Sequence, residues 1–82
     1  MSDFITEMEW LNTFGDNLKD ILRQTYMTQR ELADAAGLAE STISSYIRKQ
    51  KMPTLKAIVN IAYALNVSVD ELVFNDIYTL IK

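Results

Sequence analysis

The run Glu40-Ser41-Thr42-Ile43-Ser44-Ser45, followed by Arg48, Lys49 and Lys51, holds the residues best suited to chemistry. Serine and threonine hydroxyls both donate and accept, so a row of them on one helix can meet the edges of several bases. Glu40 can accept from a cytosine amine, or cap its own helix. The three cations after the row suit phosphates, and displacing counterions would make affinity steeply salt-dependent. Serines on a helix face are more often merely solvated, so the elements around them decide. Catalysis has less to build on. The chain has no Cys and no His, which removes disulfides, thiolate and imidazole metal sites and histidine acid–base work. No nucleophile–base pair is visible, and neither an enzyme activity nor a metal or cofactor is expected.

The elements that must position this row are helical. Thr28-Gln29-Arg30-Glu31 is a capping box: the threonine hydroxyl accepts from the Glu31 amide, and the Glu31 carboxylate answers the Thr28 amide. The helix it opens runs to Ala36, with Leu32, Ala33 and Ala36 inward, and Gly37 ends it by adopting a left-handed conformation. A further helix is predicted from about Glu40 to Lys49, with Ile43 and Tyr46 inward. Ile47 is expected either against the helix that follows or exposed at an interface.

Before this pair, Phe4, Met8, Leu11, Gly15, Leu18 and Leu22 recur at helical spacing. The pattern predicts a helix from about Phe14 to Gln24, behind a helical or partly ordered extension. Gly15 weakens the case for one unbroken helix, at about 1 kcal/mol relative to alanine. After the pair, Pro53 and Thr54 open another helix. Leu55, Ile58, Ile61, Ala62 and Leu65 are expected on its buried face, and Asn66 at its left-handed end. Ser68 to Glu71 is a second capping box, starting a short helix with Leu72 and Val73. No strand pattern survives, so the fold class is all-α, with about five helices.

The size fits a single domain: 82 residues, 49% hydrophobic, with two Gly and one Pro. The expected division is an N-terminal extension over 1–13, a domain over 14–75 and an apolar tail over 76–82. No apolar run approaches the roughly 18 residues of a membrane span, and the acidic N-terminus lacks the basic start of a signal peptide. A cytoplasmic protein without membrane contact is expected. The net charge is −3, which argues at first against a polyanionic partner. Its distribution answers the objection. Residues 19–56 carry seven cations against four acids, whereas the segments on either side are both acidic. Local charge rather than total charge steers a polyanion.

The ordered set Phe14-Gly15, Leu18, Ile21, Thr28-Gln29-Arg30-Glu31-Leu32-Ala33, Gly37-Leu38, Ser41-Thr42-Ile43-Ser44, Pro53-Thr54-Leu55, Ile61 to Ser68 and Asp70-Glu71-Leu72 resembles the Cro/repressor-type helix-turn-helix family. This lambda repressor-like family includes phage repressors and small bacterial regulators, and the resemblance covers roughly residues 14–73. It implies a compact five-helix domain that binds double-stranded DNA sequence-specifically, usually as a homodimer on a palindromic operator. It also implies base contacts from Glu40, Ser41, Ser44 and Ser45, beside Ala39. Phosphate contacts are implied for Gln29, Arg48, Lys49 and Lys51. The chain departs from the family pattern at Tyr26 and Lys49, where glycine is common. It also departs at Ala39 (a small polar cap), Glu40 (an amide or base) and Ile47 (a glutamate).

The expected activity is transcriptional regulation, most simply repression by occupying an operator. With no separate sensing domain in the sequence, control would come from concentration, a partner protein or competition for the site. The rival reading is a protein-interaction module, antitoxin- or antirepressor-like, that keeps the fold. Two apolar stretches exceed the needs of a small core: Phe4, Met8, Trp10, Leu11, and Ile77, Tyr78, Leu80, Ile81. Either packs on its own domain or serves as a dimer interface.

Overall fold

The computed structural model describes residues 6–74, and these contain helices and no strand. In chain order the helices are α1 (Glu7–Thr25), α2 (Gln29–Ala36), α3 (Glu40–Ile47), α4 (Leu55–Leu65) and α5 (Val69–Val73). The all-α, five-helix fold follows the expectation. Phe4 and the tail from Ile77 to Ile81 lie outside the described residues.

Of the two options for the residues before Phe14, a helical or a partly ordered extension, the first helix takes the helical one. It starts at Glu7, not near Phe14, and passes through Gly15 without a break. Its start has a capping box that the sequence reading overlooked. The Thr6 hydroxyl accepts from the Glu9 amide at 3.1 Å, and the Glu9 carboxylate accepts from the Thr6 amide at 3.1 Å. Two such bonds fix the first turn well upstream of the glycine. Gly15 is there for a reason other than helix breaking: a Cβ would meet the Tyr46 carbonyl oxygen at 2.8 Å and Lys49 Cγ at 3.0 Å. The missing side chain lets α1 and the end of α3 approach closely.

The boxes at Thr28 and Ser68 form as expected. Thr54 caps α4 by accepting from the Ala57 amide at 3.1 Å. Three helices end on left-handed residues: α1 on Tyr26 (φ 57°), α2 on Gly37 (φ 69°) and α4 on Asn66 (φ 57°). Helix α3 ends at Ile47, two residues short of the expected Lys49. Lys49 turns left-handed (φ 64°) and lets the Gln50 amide reach back to the Ser45 carbonyl at 2.9 Å. A lysine thus fills a slot that usually takes glycine.

One core joins all five helices. Phe14, Leu18, Leu32, Ile43, Ile61 and Leu72 are its largest fully buried side chains. Each such side chain contributes about 1.5–3 kcal/mol by leaving water. Helix α2 packs against α3 and α4, while α1 packs against α3 and α5. Trp10 sits 5.5 Å from Phe14, and Phe14 meets Tyr46 edge-on at 5.6 Å, so an aromatic chain runs from α1 into α3. Tyr46 is therefore a core residue, and burial raises the pKa of its phenol. Asn17 donates to the Leu72 and Phe74 carbonyls at 3.0 and 2.9 Å, tying the end of α5 to α1.

Leu55 is a correction. Expected on the buried face of α4, it is 73% exposed. The buried set is Ala57, Ile58, Ile61, Ala62 and Leu65. At 100° per residue, Leu55 lies about 90° from the middle of that set, on the side of Val59 and Tyr63.

Candidate nucleic-acid interface

Helix α3 is the candidate reading element, and its two faces are chemically distinct. Ile43 and Tyr46 point into the core. Helical periodicity then puts Ser41, Ser44, Ser45 and Arg48 on the opposite side. Ser41 and Arg48 are exposed, while Ser44 and Ser45 are half-buried. Four residues able to donate hydrogen bonds therefore share the outward face of a helix held from behind by α1 and α2.

The start of α3 is bare. Ala39 is its N-cap and supplies no side-chain cap, and Glu40 makes no capping bond either. Only backbone bonds close the first turn, from the Thr42 and Ile43 amides to the Ala39 carbonyl at 3.0 and 3.3 Å. Of the two roles open to Glu40, self-capping is therefore not realised. Its carboxylate is exposed in the first turn, where a negative charge favours the helix dipole.

The cations fall into two groups. Arg48 and Lys51 are exposed, and neither makes an ion pair among the described residues. Lys49 instead sets its ammonium 2.8 Å from Asp16, while its stem packs over Gly15. The structure thus divides the trio: two cations with no carboxylate partner among the described residues, and one already answered by Asp16. The Asp16 pair is partly exposed and contributes no more than about 1 kcal/mol.

Gln29 opens α2, directly after the capped Thr28. It lines a shallow groove with Lys19, Leu22, Arg23, Met27, Thr28 and Ile47. This answers the question of Ile47, which closes the groove between α1 and the start of α2. It also brings in two cations, Lys19 and Arg23, that sequence reading passed over. The available signal was their i, i+4 spacing at the end of α1, just before the α2 cap. Arg23 has Asp20 at 3.8 Å, but both are largely exposed and the contact is weak.

The Glu31 carboxylate sits below its ordinary range, chiefly because the Thr28 amide donates to it at 2.9 Å and next because the Thr28 side chain lies beside it. The α2 start therefore keeps its cap at neutral pH. The first two amides of α2 lie beyond the reach of that box and point outward with the positive end of the helix dipole.

A helix-turn-helix family model (HTH_3) matches residues 18–72, which hold both capping boxes of the central region and all of α2 to α4. The chain belongs to the helix-turn-helix family. Its resemblance to the Cro/repressor-type, lambda repressor-like proteins is upheld by that match. An uncharacterized HTH-type transcriptional regulator, YqaE of Bacillus subtilis, is 34% identical over 59 residues, covering 72% of this chain and 51% of that protein. This chain thus spans about half the length of the curated helix-turn-helix relative it matches. Among solved structures, the restriction-modification controller protein C.AhdI from Aeromonas hydrophila superposes with a TM-score of 0.74 at 31% identity. That match covers 76% of this chain and 94% of C.AhdI. The hypothetical transcription factor NHTF from Neisseria has a TM-score of 0.81 at 24% identity, covering 98% and 92% of the two chains, and shows the shared fold. Among the described residues, no helix of this helix-turn-helix domain is long and apolar enough to cross a membrane.

Proposed function

We propose that this protein is a sequence-specific DNA-binding transcriptional regulator, a repressor that acts as a homodimer by occupying a palindromic operator. The observation that carries the reading is the outward face of α3, where Ser41, Ser44, Ser45 and Arg48 stand opposite the core residues Ile43 and Tyr46. In the major groove, that face offers hydroxyls to base edges. Glu40, one turn nearer the helix start, accepts from a cytosine amine on the same approach. Hydroxyl contacts each discriminate weakly, so several must act together, and a second half-site multiplies them.

Phosphates are met around this face. Arg48 and Lys51 contact the backbone beyond the end of α3. Gln29 and the free amides of α2 hold a phosphate on the other side, with Lys19 and Arg23 lining the same groove. Lys49 contributes only after exchanging Asp16 for a phosphate, so its share is smaller than that of Arg48. Supporting this reading are the family membership, the relative described as a transcriptional regulator, and the controller protein at 31% identity.

The second reading, a protein-interaction module, draws on one observation: a bare Ala39 cap followed by an exposed carboxylate where DNA would lie. A mobility-shift selection on random duplex DNA separates the two. Enrichment of a two-fold symmetric site supports the regulator. No retention, even at low salt, supports the interaction module.

A further inference from the structure

Helix α1 turns one line of charged side chains toward the candidate interface. Lys19 and Arg23 line the groove beside Gln29. Asp16 stands three residues before Lys19 and seven before Arg23, a spacing that keeps all three on one helical face. An acid therefore heads a line of two cations, and its carboxylate lies 2.8 Å from the Lys49 ammonium. Lys49 in turn falls between Arg48 and Lys51, the exposed cations at and beyond the end of α3. A carboxylate is thus set into the surface proposed to meet phosphates.

The contact is held from both sides. The Lys49 amide donates to the Tyr46 carbonyl at 3.1 Å, and the Gln50 amide to the Ser45 carbonyl at 2.9 Å, which fixes the left-handed turn at Lys49. The lysine stem lies over Gly15, the residue next to Asp16. An ammonium placed this way loses less freedom on pairing than one at the end of a free side chain.

We infer that Asp16 is a restraint on DNA affinity: its carboxylate competes with a DNA phosphate for Lys49. If Lys49 stays with Asp16, it adds no phosphate contact. If it leaves, a carboxylate is stranded beside the phosphate backbone. Both outcomes weaken binding. Phosphate contacts carry no base information, so the restraint acts on every duplex alike and leaves base preference to the α3 face. Its strength is bounded, because an exposed pair is held by no more than about fivefold. Asp16 therefore lowers affinity without abolishing it.

The inference rests on the regulator reading and gives its phosphate surface an internal competitor. A double-variant cycle on the full chain tests it. The probe is a labelled short duplex of random sequence, titrated by fluorescence anisotropy at several salt concentrations. Asp16→Asn is expected to bind about two- to fivefold tighter at low salt, with a salt slope steeper by up to about one. In a Lys49→Gln background the same change is expected to give less than about twofold, with no steeper slope. Circular dichroism checks that each variant is helical. If Asp16→Asn loses its helical spectrum, Asp16→Ala decides. A folded Asp16 variant that binds no tighter than wild type overturns the inference. So does an equal gain with Lys49 and with the glutamine, which would make Asp16 one more charge in the field and not a competitor for Lys49. In either case a wild-type chain that retains duplex leaves the regulator reading standing. If no chain of the cycle retains duplex even at low salt, both readings fall.

Discussion

Gly15 and Tyr46 approach so closely that a Cβ on the glycine would stand 2.8 Å from the tyrosine carbonyl oxygen. The neighbour is backbone, so it cannot swing aside as a side chain would. This contact sets how α1 braces the end of α3, and so sets the angle at which the serine face is presented. Gly15→Ala gains about 1 kcal/mol of helix propensity. The forced separation costs about 1–3 kcal/mol. The clash is expected to win, and a thermal melt should show a lower midpoint than wild type. A higher midpoint would mean that the two helices part freely.

Acid should loosen the starts of α1 and α2. Glu9 and Glu31 are both held below the ordinary value of 4.5, first by the backbone amide of the capped threonine and then by its hydroxyl. For a carboxylate whose pKa is depressed on folding, the unfolded chain takes up the proton first. The stabilisation is thus full above the unfolded pKa and is lost as pH falls through the folded one. Stability measured by denaturant titration should fall as pH drops below the ordinary carboxylate value. Glu31→Ala should be less stable at neutral pH and show a shallower acid decline. An unchanged slope in that variant would remove the capping box as a source of the pH dependence.

Base contacts and phosphate contacts should respond differently to mutation. Ser41→Ala and Ser45→Ala remove hydroxyls from the outward face of α3, and each is expected to change the preferred sequence. Lys51→Ala is expected to weaken all sequences alike and to reduce the salt slope by about one. Competition binding on a panel of single-base variants, at two salt concentrations, reads both effects. Uniform loss across the panel for the serine variants would contradict their assignment to base edges.

Much of this architecture was legible because local chemistry specifies it. Thr28-Glu31, Ser68-Glu71, Gly37 and Asn66 mark helix ends through bonds and conformations that lie within a few residues. The Thr6-Glu9 box had the same signature and was equally readable. What the sequence concealed is tertiary. Gly15 looks like a weak point in a helix until the Tyr46 carbonyl lies beside it. Lys49 looks like a free cation until Asp16 is found 2.8 Å away. Leu55 counts as apolar in any pattern, but its angle on α4 faces it outward. Lys19 and Arg23 join Gln29 only because α1 and α2 meet at a groove. The outward face of α3 followed from periodicity once Ile43 and Tyr46 were placed in the core.

The central claim is that the outward face of α3 reads duplex DNA, and selection from a random duplex pool tests it most directly. Bound duplexes recovered over several rounds at moderate salt should converge on a two-fold symmetric site, with half-site centres about 34 Å, or a multiple of that, apart. The same selection with Ser41→Ala should converge on a different half-site. Recovery of no common sequence, or no retained DNA even at low salt, would contradict the claim.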